Sequence, residues 1–265
     1  SNLQKRIADI VSYHQPRLEA NSIHNIAVLV VDVETGNTSA YIGNNNPEIV
    51  EDGKSVDIIK SPRSTGSILK PFLYASMLND GLILPNTLIP DIPTQIGGYT
   101  PKNFYPTYDG AVPASRALAR SLNVPAVRML QIYGIAKFHY MLNKLGLTTI
   151  NRSPDSYGLS LILGGAEATL WDLAGVYSSL ARSLNHFHEF QSRYNRLDFH
   201  PLRYIADTTK KKAILEDKSV LSAASIYLTF EAMREVSRPD EQSGWRYFSS
   251  TRSVAWKTGT SYGHR

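Results

Sequence analysis

Apolar side chains at Leu3, Ile7, Ile10, Val11 and Leu18 recur at helical spacing and predict a helix over residues 3–20. The pattern then changes. Residues 26–33 are a nearly continuous β-branched and apolar run, "ETGN" carries turn chemistry, and residues 38–42 resume as a strand. This predicts a hairpin whose first strand is apolar on both faces, as suits a central place in a sheet. Residues 44–60 are polar and read as loop. Helical periodicity then dominates, over 67–80, 113–122, 124–132, 135–145, 169–184 and 219–236. Between 85 and 110, Pro, Gly, Asn and Tyr crowd together, which predicts a long ordered loop or a lid. Residues 185–215 show no period and hold His186, His188 and His200. Near the end, "TRSVAWKTGTSYG" reads as one strand. There is no internal repeat and no low-complexity stretch.

A hairpin, a block of helices and a returning strand do not alternate as a doubly wound sheet does. The order predicts an α+β fold, with an antiparallel sheet drawn from both chain ends packed beside a mostly helical lobe. Residues 1–60 and 219–265 would form the sheet lobe and residues 61–218 the helical one. At 265 residues, one large two-lobed domain is the expected size class.

Composition narrows the function. With 42% hydrophobic and 19% charged residues the chain is globular in type. The net charge of +5 is spread out, and its densest run, Lys210 to Lys212, has no interleaved aromatics. That run reads as a solvated loop, so no nucleic acid is expected as a partner. The absence of cysteine excludes disulfides, thiolate metal sites and a cysteine nucleophile. No apolar run approaches the roughly 20 residues of a membrane span, and no signal peptide opens the chain. The start "SNLQKR" fits a cut end, which leaves room for an anchor upstream. His186 and His188 lack a third ligand at metal-binding spacing and read as unpaired residues of a surface loop, so no metal is expected.

The chemistry begins at "SPRSTGSILKPF", residues 61–72. At ordinary residue frequencies a chain this long holds roughly one Ser-x-x-Lys by chance, so Ser67 and Lys70 matter through their context. Thr65 and Gly66 lead into a predicted helix at Ser67, where free N–H groups and the helix dipole favour developing negative charge. Lys70 lies on the same side of that turn. Pro71 lacks the N–H that would bond the Ser67 carbonyl, which is tolerable only near a helix start. A serine hydroxyl needs a neighbouring base to attack. Lysine serves only when neutral, which near pH 7 asks for a shift of about three units from its usual pKa, about 4 kcal/mol. Burial or a second cation can supply this. "KTGT" at 257–260 provides a cation in Lys257, hydroxyls in Thr258 and Thr260, and in Gly259 a residue that lets a ligand or backbone come close. Such an edge suits a carboxylate-bearing substrate. Between the two lies a Ser-x-Asn. "SLN" occurs at 121–123 and at 183–185, and only Ser121 with Asn123 ends a helical run just before a proline, Pro125, in the right order.

Together, Ser67-x-x-Lys70, Ser121-x-Asn123 and Lys257-Thr258-Gly259 resemble the motif set of the penicillin-recognising serine enzymes. "STGSILKPFLYASMLNDG", "SRALARSLNVPAVRMLQIYG" and "LILGGAEATLWDLAGVYSSLA" resemble the bifunctional class A penicillin-binding proteins, and "WKTGTSYGHR" is similar to their 1C branch. The likeness spans about residues 24–185 and 219–265. It implies a peptidoglycan D,D-transpeptidase of the serine-transpeptidase/β-lactamase fold, without metal or organic cofactor. Ser67 would attack the penultimate D-Ala carbonyl of a stem peptide and form an acyl-enzyme, with Lys70 taking its proton. Ser121 would pass a proton to the leaving D-Ala, and Asn123 would hydrogen-bond Lys70 and the substrate amide. Lys257, Thr258 and Thr260 would hold the terminal carboxylate, with Gly259 between them. Backbone N–H groups of Ser67 and Thr260 would form the oxyanion hole. An amine on a second stem peptide would complete the crosslink. The implied partners are stem peptides, β-lactams, and an upstream glycosyltransferase domain with a membrane anchor, on the extracytoplasmic face of the bacterial inner membrane.

Several features compete with this reading. "EATLW" resembles the Glu-x-x-Leu-Asn of class A β-lactamases, but Trp171 stands where Asn should be. Thr169 with Asp172 reads as a helix cap, which leaves Glu167 just ahead of a helix. Trp171 and Trp245 read as packing. Tyr99, Phe104 and Tyr105 suit either a substrate groove or the packing of their loop. A penicillin-sensing receptor, a non-catalytic penicillin-binding module and a D,D-carboxypeptidase remain alternatives. The resemblance also implies further strands and a terminal helix after the Lys-Thr-Gly strand. With Lys257 close to the end of the sequence, the domain is expected to be incomplete at its C-terminus, its last strand showing an unpaired edge.

Overall fold

A computed structural model of the chain describes residues 2–45, 53, 55–204, 212–235 and 254–261. Its helices, in order, are α1 (Asn2–Glu19), α2 (Lys70–Asn79), α3 (Ala114–Ala119), α4 (Asn123–Tyr133), α5 (Ile135–Leu145), α6 (Pro154–Tyr157), α7 (Leu170–Glu189) and α8 (Ala223–Arg234). The strands are few and short. Val28–Val31 pairs antiparallel with Thr38–Ile42, with Val28 opposite Ile42 and an irregularity at Val30/Val31. Leu88–Asp91 pairs antiparallel with Gly110–Pro113, so the stretch expected to be a long loop is closed at its base by a hairpin. Among the described residues no helix is long and apolar enough to cross a membrane.

Two compact units interleave along the chain. One comprises Ser1–Arg63, Asn143–Ile150 and Glu167–Ser219. Its core gathers Ile59, Trp171 and Leu202 under Ala27, Leu29, Val31, Tyr41, Leu170 and Ala174. The apolar side chains of the first hairpin and the apolar stripe of α7 meet there, as their periodicities require. Trp171 is a packing residue, stacked on Tyr204 with ring centroids 4.2 Å apart. Thr169 caps α7, its Oγ1 accepting from the Asp172 N–H at 3.0 Å. Helix α7 runs five residues further than expected, to Glu189, and carries His186 and His188 in its last turn. His186 is therefore not an unpaired loop residue. Its Nδ1 lies 2.6 Å from Asp198 Oδ1 and its Nε2 3.2 Å from Glu34 Oε2. The carboxylates that hold it come from distant sequence. The Lys210–Lys212 run lies mostly outside the described residues, with only Lys212 inside them.

The other unit comprises Ser64–Leu142, Asn151–Ala166 and Val220–Arg265. Its centre is α2, in which every residue from Lys70 to Met77 is buried. A helix apolar on nearly all sides must be enclosed, and α3, α4 and α8 pack around it. Residues 254–261 were expected to be a strand. They form no ladder with any described residue, and their Trp256 N–H bonds instead to Met233 O at 3.3 Å. Strand propensity makes a strand only where a partner backbone lies alongside. The expected strand positions 251–253 and 262–263, and Trp245, fall outside the described residues.

Candidate functional site

Ser67 lies in a tight turn leading into α2. The helix begins at Lys70, three residues later than the sequence suggests, with Leu69 at the N-cap and Pro71 in the first turn. The missing proline N–H explains the shift. In an α-helix the Ser67 carbonyl would accept from residue 71, and here it accepts from Lys70 N at 3.3 Å instead, just as Thr65 O accepts from Ile68 N at 2.9 Å. These are 3₁₀-type bonds, in which side chains three apart eclipse, so Ser67 and Lys70 stay on one side. The turn is braced from behind. Thr65 N and Oγ1 both donate to Ala166 O, at 3.0 and 3.1 Å, and Ser64 Oγ donates to Gly164 O at 2.8 Å. A Cβ on Gly164, whose φ is +101°, would fall 2.9 Å from Gly66 Cα. Gly164 thus admits a backbone-to-backbone contact that the sequence reading did not single out, although the Gly-Gly pair was its visible signal.

Lys70 is buried, with 2% of its surface exposed. Its Nζ donates to Ser121 O at 2.8 Å, Leu122 O at 3.2 Å and Asn123 Oδ1 at 2.7 Å. Burial first, and the Lys257 cation second, hold its amine well below the usual lysine range. Three acceptors match the three N–H bonds of an ammonium, whereas the neutral amine keeps two and gains a lone pair that can take a proton. Among the described residues, the Ser67 hydroxyl is not a hydrogen-bond partner of Lys70 in this arrangement.

Ser121 and Asn123 occupy the corner between α3 and α4. Ser121 N donates to Leu118 O at 2.9 Å and Leu122 N to Ala117 O at 3.0 Å. This paired pattern closes α3 as a Schellman motif, with Ser121 at the left-handed position usually given to glycine. Its φ is +54°, a conformation that disfavours any residue with a Cβ. The corner turns the Ser121 carbonyl toward Lys70, while the Ser121 hydroxyl accepts from Lys257 Nζ at 2.8 Å. Asn123 is the first residue of α4, and its Nδ2 donates to Lys102 O at 2.8 Å. The second Ser-x-Asn lies inside α7, where Ser183 is buried and Asn185 Nδ2 donates to Glu34 Oε1 at 2.6 Å.

The segment around Lys257 runs close to the serine turn. A Cβ on Gly66, at φ +50°, would lie 2.6 Å from Thr260 O and 2.7 Å from Thr260 N. A Cβ on Gly259 would lie 2.6 Å from Ile68 Cγ1 and 2.9 Å from Thr65 O. Both glycines therefore permit direct backbone approach, which fits the close passage expected of Gly259. Thr258, Gly259 and Thr260 are open to solvent. Burial lowers the Lys257 amine to about 8, and its Nζ also donates to Thr258 O at 2.6 Å. The cluster thus joins a buried amine, a hydroxyl held by a second amine, an asparagine amide and a solvent-open edge of hydroxyls. Acid–base chemistry on an anionic ligand is within its reach. Glu167 is exposed and offers its main-chain carbonyl to Thr149 Oγ1 at 2.7 Å.

Known proteins resemble this chain in sequence and in fold. A family model described as the penicillin binding protein transpeptidase domain matches residues 26–263. The chain is 33% identical over its whole length to penicillin-binding protein 1C of Escherichia coli, covering 31% of that protein. It is 26% identical, over 88% of its length, to penicillin-binding protein 1A of Neisseria meningitidis, covering 29% of it. The chain therefore spans about a third of the length of these curated relatives. Among solved structures, a peptidoglycan glycosyltransferase from Burkholderia ambifaria superimposes with a TM-score of 0.67 at 18% identity, over 89% of this chain and 73% of that one. The transpeptidase domain of penicillin-binding protein 3 from Burkholderia pseudomallei gives 0.66 at 17%, over 89% and 69%. These two likenesses speak to the fold, an α+β serine-transpeptidase fold.

Proposed function

The chain belongs to the penicillin-binding protein transpeptidase family, and on that premise we propose that it is a peptidoglycan D,D-transpeptidase domain acylated on Ser67. The observation that carries the reading is the Lys70 amine, buried and depressed in pKa, bonded to Asn123 and joined through Ser121 to Lys257. Ser67 Oγ attacks the penultimate D-Ala carbonyl while neutral Lys70 takes its proton. Backbone N–H groups of Ser67 and Thr260 receive the oxyanion, each donor worth about 3 kcal/mol. Because Ser121 Oγ accepts from Lys257, its own proton can pass to the departing D-Ala amine while the Lys70 ammonium, held at the same corner, returns to Ser121 the proton taken from Ser67. Asn123 holds Lys70 and the substrate amide. Lys257, Thr258 and Thr260 bind the terminal carboxylate, and Gly259 keeps that edge narrow. An amine of a second stem peptide then attacks the acyl-enzyme, forms the crosslink and releases Ser67. β-Lactams would acylate the same serine.

The whole protein, on this reading, also carries a glycosyltransferase domain and an anchor, and works on the extracytoplasmic face of the inner membrane. Labelling with a fluorescent penicillin and peptide mapping tests the centre of the proposal. Label on Ser67 that is lost in Ser67→Ala is expected, and label elsewhere would reject it. Incubation with a donor pentapeptide and an acceptor amine should yield the crosslinked product with release of D-Ala. Hydrolysed tetrapeptide alone would make the domain a carboxypeptidase.

A further inference from the structure

We propose that Asn103, clamped by the buried carboxylate of Asp91, is a positioning residue that sets the Ser121–Asn123 corner against Lys70. The inference rests on the transpeptidase reading and adds two residues that its motifs do not contain.

The start of α4 is the motivation. Its N-cap is Leu122, whose side chain cannot accept a hydrogen bond. Four N–H groups at a helix start need partners from outside the helix. Leu122 N reaches back to Ala117 O. Pro125 has none to offer. The remaining two, Asn123 N and Val124 N, both donate to Asn103 Oδ1, at 3.0 and 3.2 Å. The cap thus comes from about 20 residues upstream, in the loop closed by the hairpin Leu88–Asp91 and Gly110–Pro113.

Asn103 has no freedom to turn. Its Nδ2 donates to Asp91 Oδ1 at 2.8 Å and to Thr107 O at 3.0 Å, so both donor bonds and both acceptor sites of the amide are filled. Asp91 is fully buried, and its other oxygen accepts from Asp109 N at 3.0 Å. The adjacent Lys102 carbonyl accepts from Asn123 Nδ2. Two consecutive loop residues therefore grip Asn123 by its main chain and its side chain, which leaves Asn123 Oδ1 facing Lys70 Nζ at 2.7 Å. A buried, fully satisfied network of this kind fixes one geometry. Release of the cap would let the corner drift and carry three acceptors of the base with it.

The test uses the intact protein and a fluorescent penicillin, reading the noncovalent dissociation constant, the acylation rate constant and the labelled fraction separately. Hydrogen exchange at the Asn123 and Val124 amides reads the cap itself. Asn103→Leu should speed that exchange and slow acylation at least tenfold, with little change in noncovalent binding. A merely structural role would lower the labelled fraction and leave the rate constant of the folded molecules alone. Should Asn103→Leu not fold, Asn103→Asp and its pairing with Asp91→Asn decide the matter. The single change sets two carboxylates within hydrogen-bonding distance and should be slow. The pair restores a donor between them and should recover most of the rate. Unchanged exchange, faster exchange with an unchanged rate constant, or a double variant no faster than Asn103→Asp would each overturn the inference. Absence of Ser67 labelling in the parent protein would instead overturn the transpeptidase reading beneath it.

Discussion

Two lysines share this site and have different surroundings. Lys70 is enclosed, with three acceptors around its nitrogen, whereas Lys257 meets a hydroxyl at an edge open to solvent. Lys70→Arg should abolish acylation of Ser67, because a guanidinium stays protonated and accepts nothing. Lys257→Arg should keep part of it, since charge is what that position supplies. Equal losses in rate assays of the two variants would reject the division of labour. The Lys257 amine, lowered to about 8 by burial, is cationic below that pH and neutral above it. Affinity for a D-Ala-D-Ala peptide carboxylate should therefore fall as pH rises through about 8, which dissociation constants between pH 7 and 9 would reveal. Stability should move the other way. The unfolded lysine holds its proton up to about 10.4, so between about 8 and that value the unfolded state binds more protons and the fold gains stability with rising pH. At this scale the sequence named the two amines, the Ser121 hydroxyl and the Asn123 amide that come together, because the motif spacings are themselves sequence. It could not name Asn103 or Asp91, whose significance is a hydrogen bond across a loop that leaves no periodic trace.

Among the elements, the junction of α3 and α4 holds a conflict between folding and function. Ser121 adopts a left-handed conformation that glycine would take without strain. Ser121→Gly should leave the fold as stable or raise it by up to about 1 kcal/mol, while acylation collapses for want of the hydroxyl. A melting temperature that drops together with activity would show that the hydroxyl serves mainly the fold. The helices themselves were readable from periodicity, and α5 begins and ends where its pattern does. Boundaries went astray where chemistry at the ends overrode the pattern. α2 starts late because Pro71 cannot bond Ser67. α7 continues past Asn185 because Glu34 and Asp198 hold the side chains of its final turns.

At the scale of the whole molecule, each of the two units depends on buried polar side chains as well as on apolar packing. Arg182, 2% exposed, donates from Nε to Val33 O at 2.6 Å and from Nη1 to Asp198 O at 2.5 Å. Arg182→Met leaves both carbonyls without that donor and should cost about 3 kcal/mol of stability. Denaturant midpoints would measure it. The residues assigned to catalysis belong to the other unit, so the acylation rate constant of molecules that remain folded should hold, and its collapse would reveal a catalytic dependence on Arg182. The α+β class was legible from the order of periods along the chain. The final strand was not, because "VAWKTGT" has the side chains of a strand, and only a neighbouring backbone turns such a sequence into one.

The setting of Lys70 also bears on how such a site changes over generations. Two of the three acceptors at its nitrogen are main-chain oxygens, those of Ser121 and Leu122. Every codon encodes the same carbonyl, so no substitution at either position deletes those contacts. Point mutation can alter the contacts of that nitrogen only by bending the path of the chain or by changing Asn123. Variants selected under a β-lactam should therefore leave Lys70 in place and accumulate where backbone trajectory is decided, in the loops and corners that frame the site.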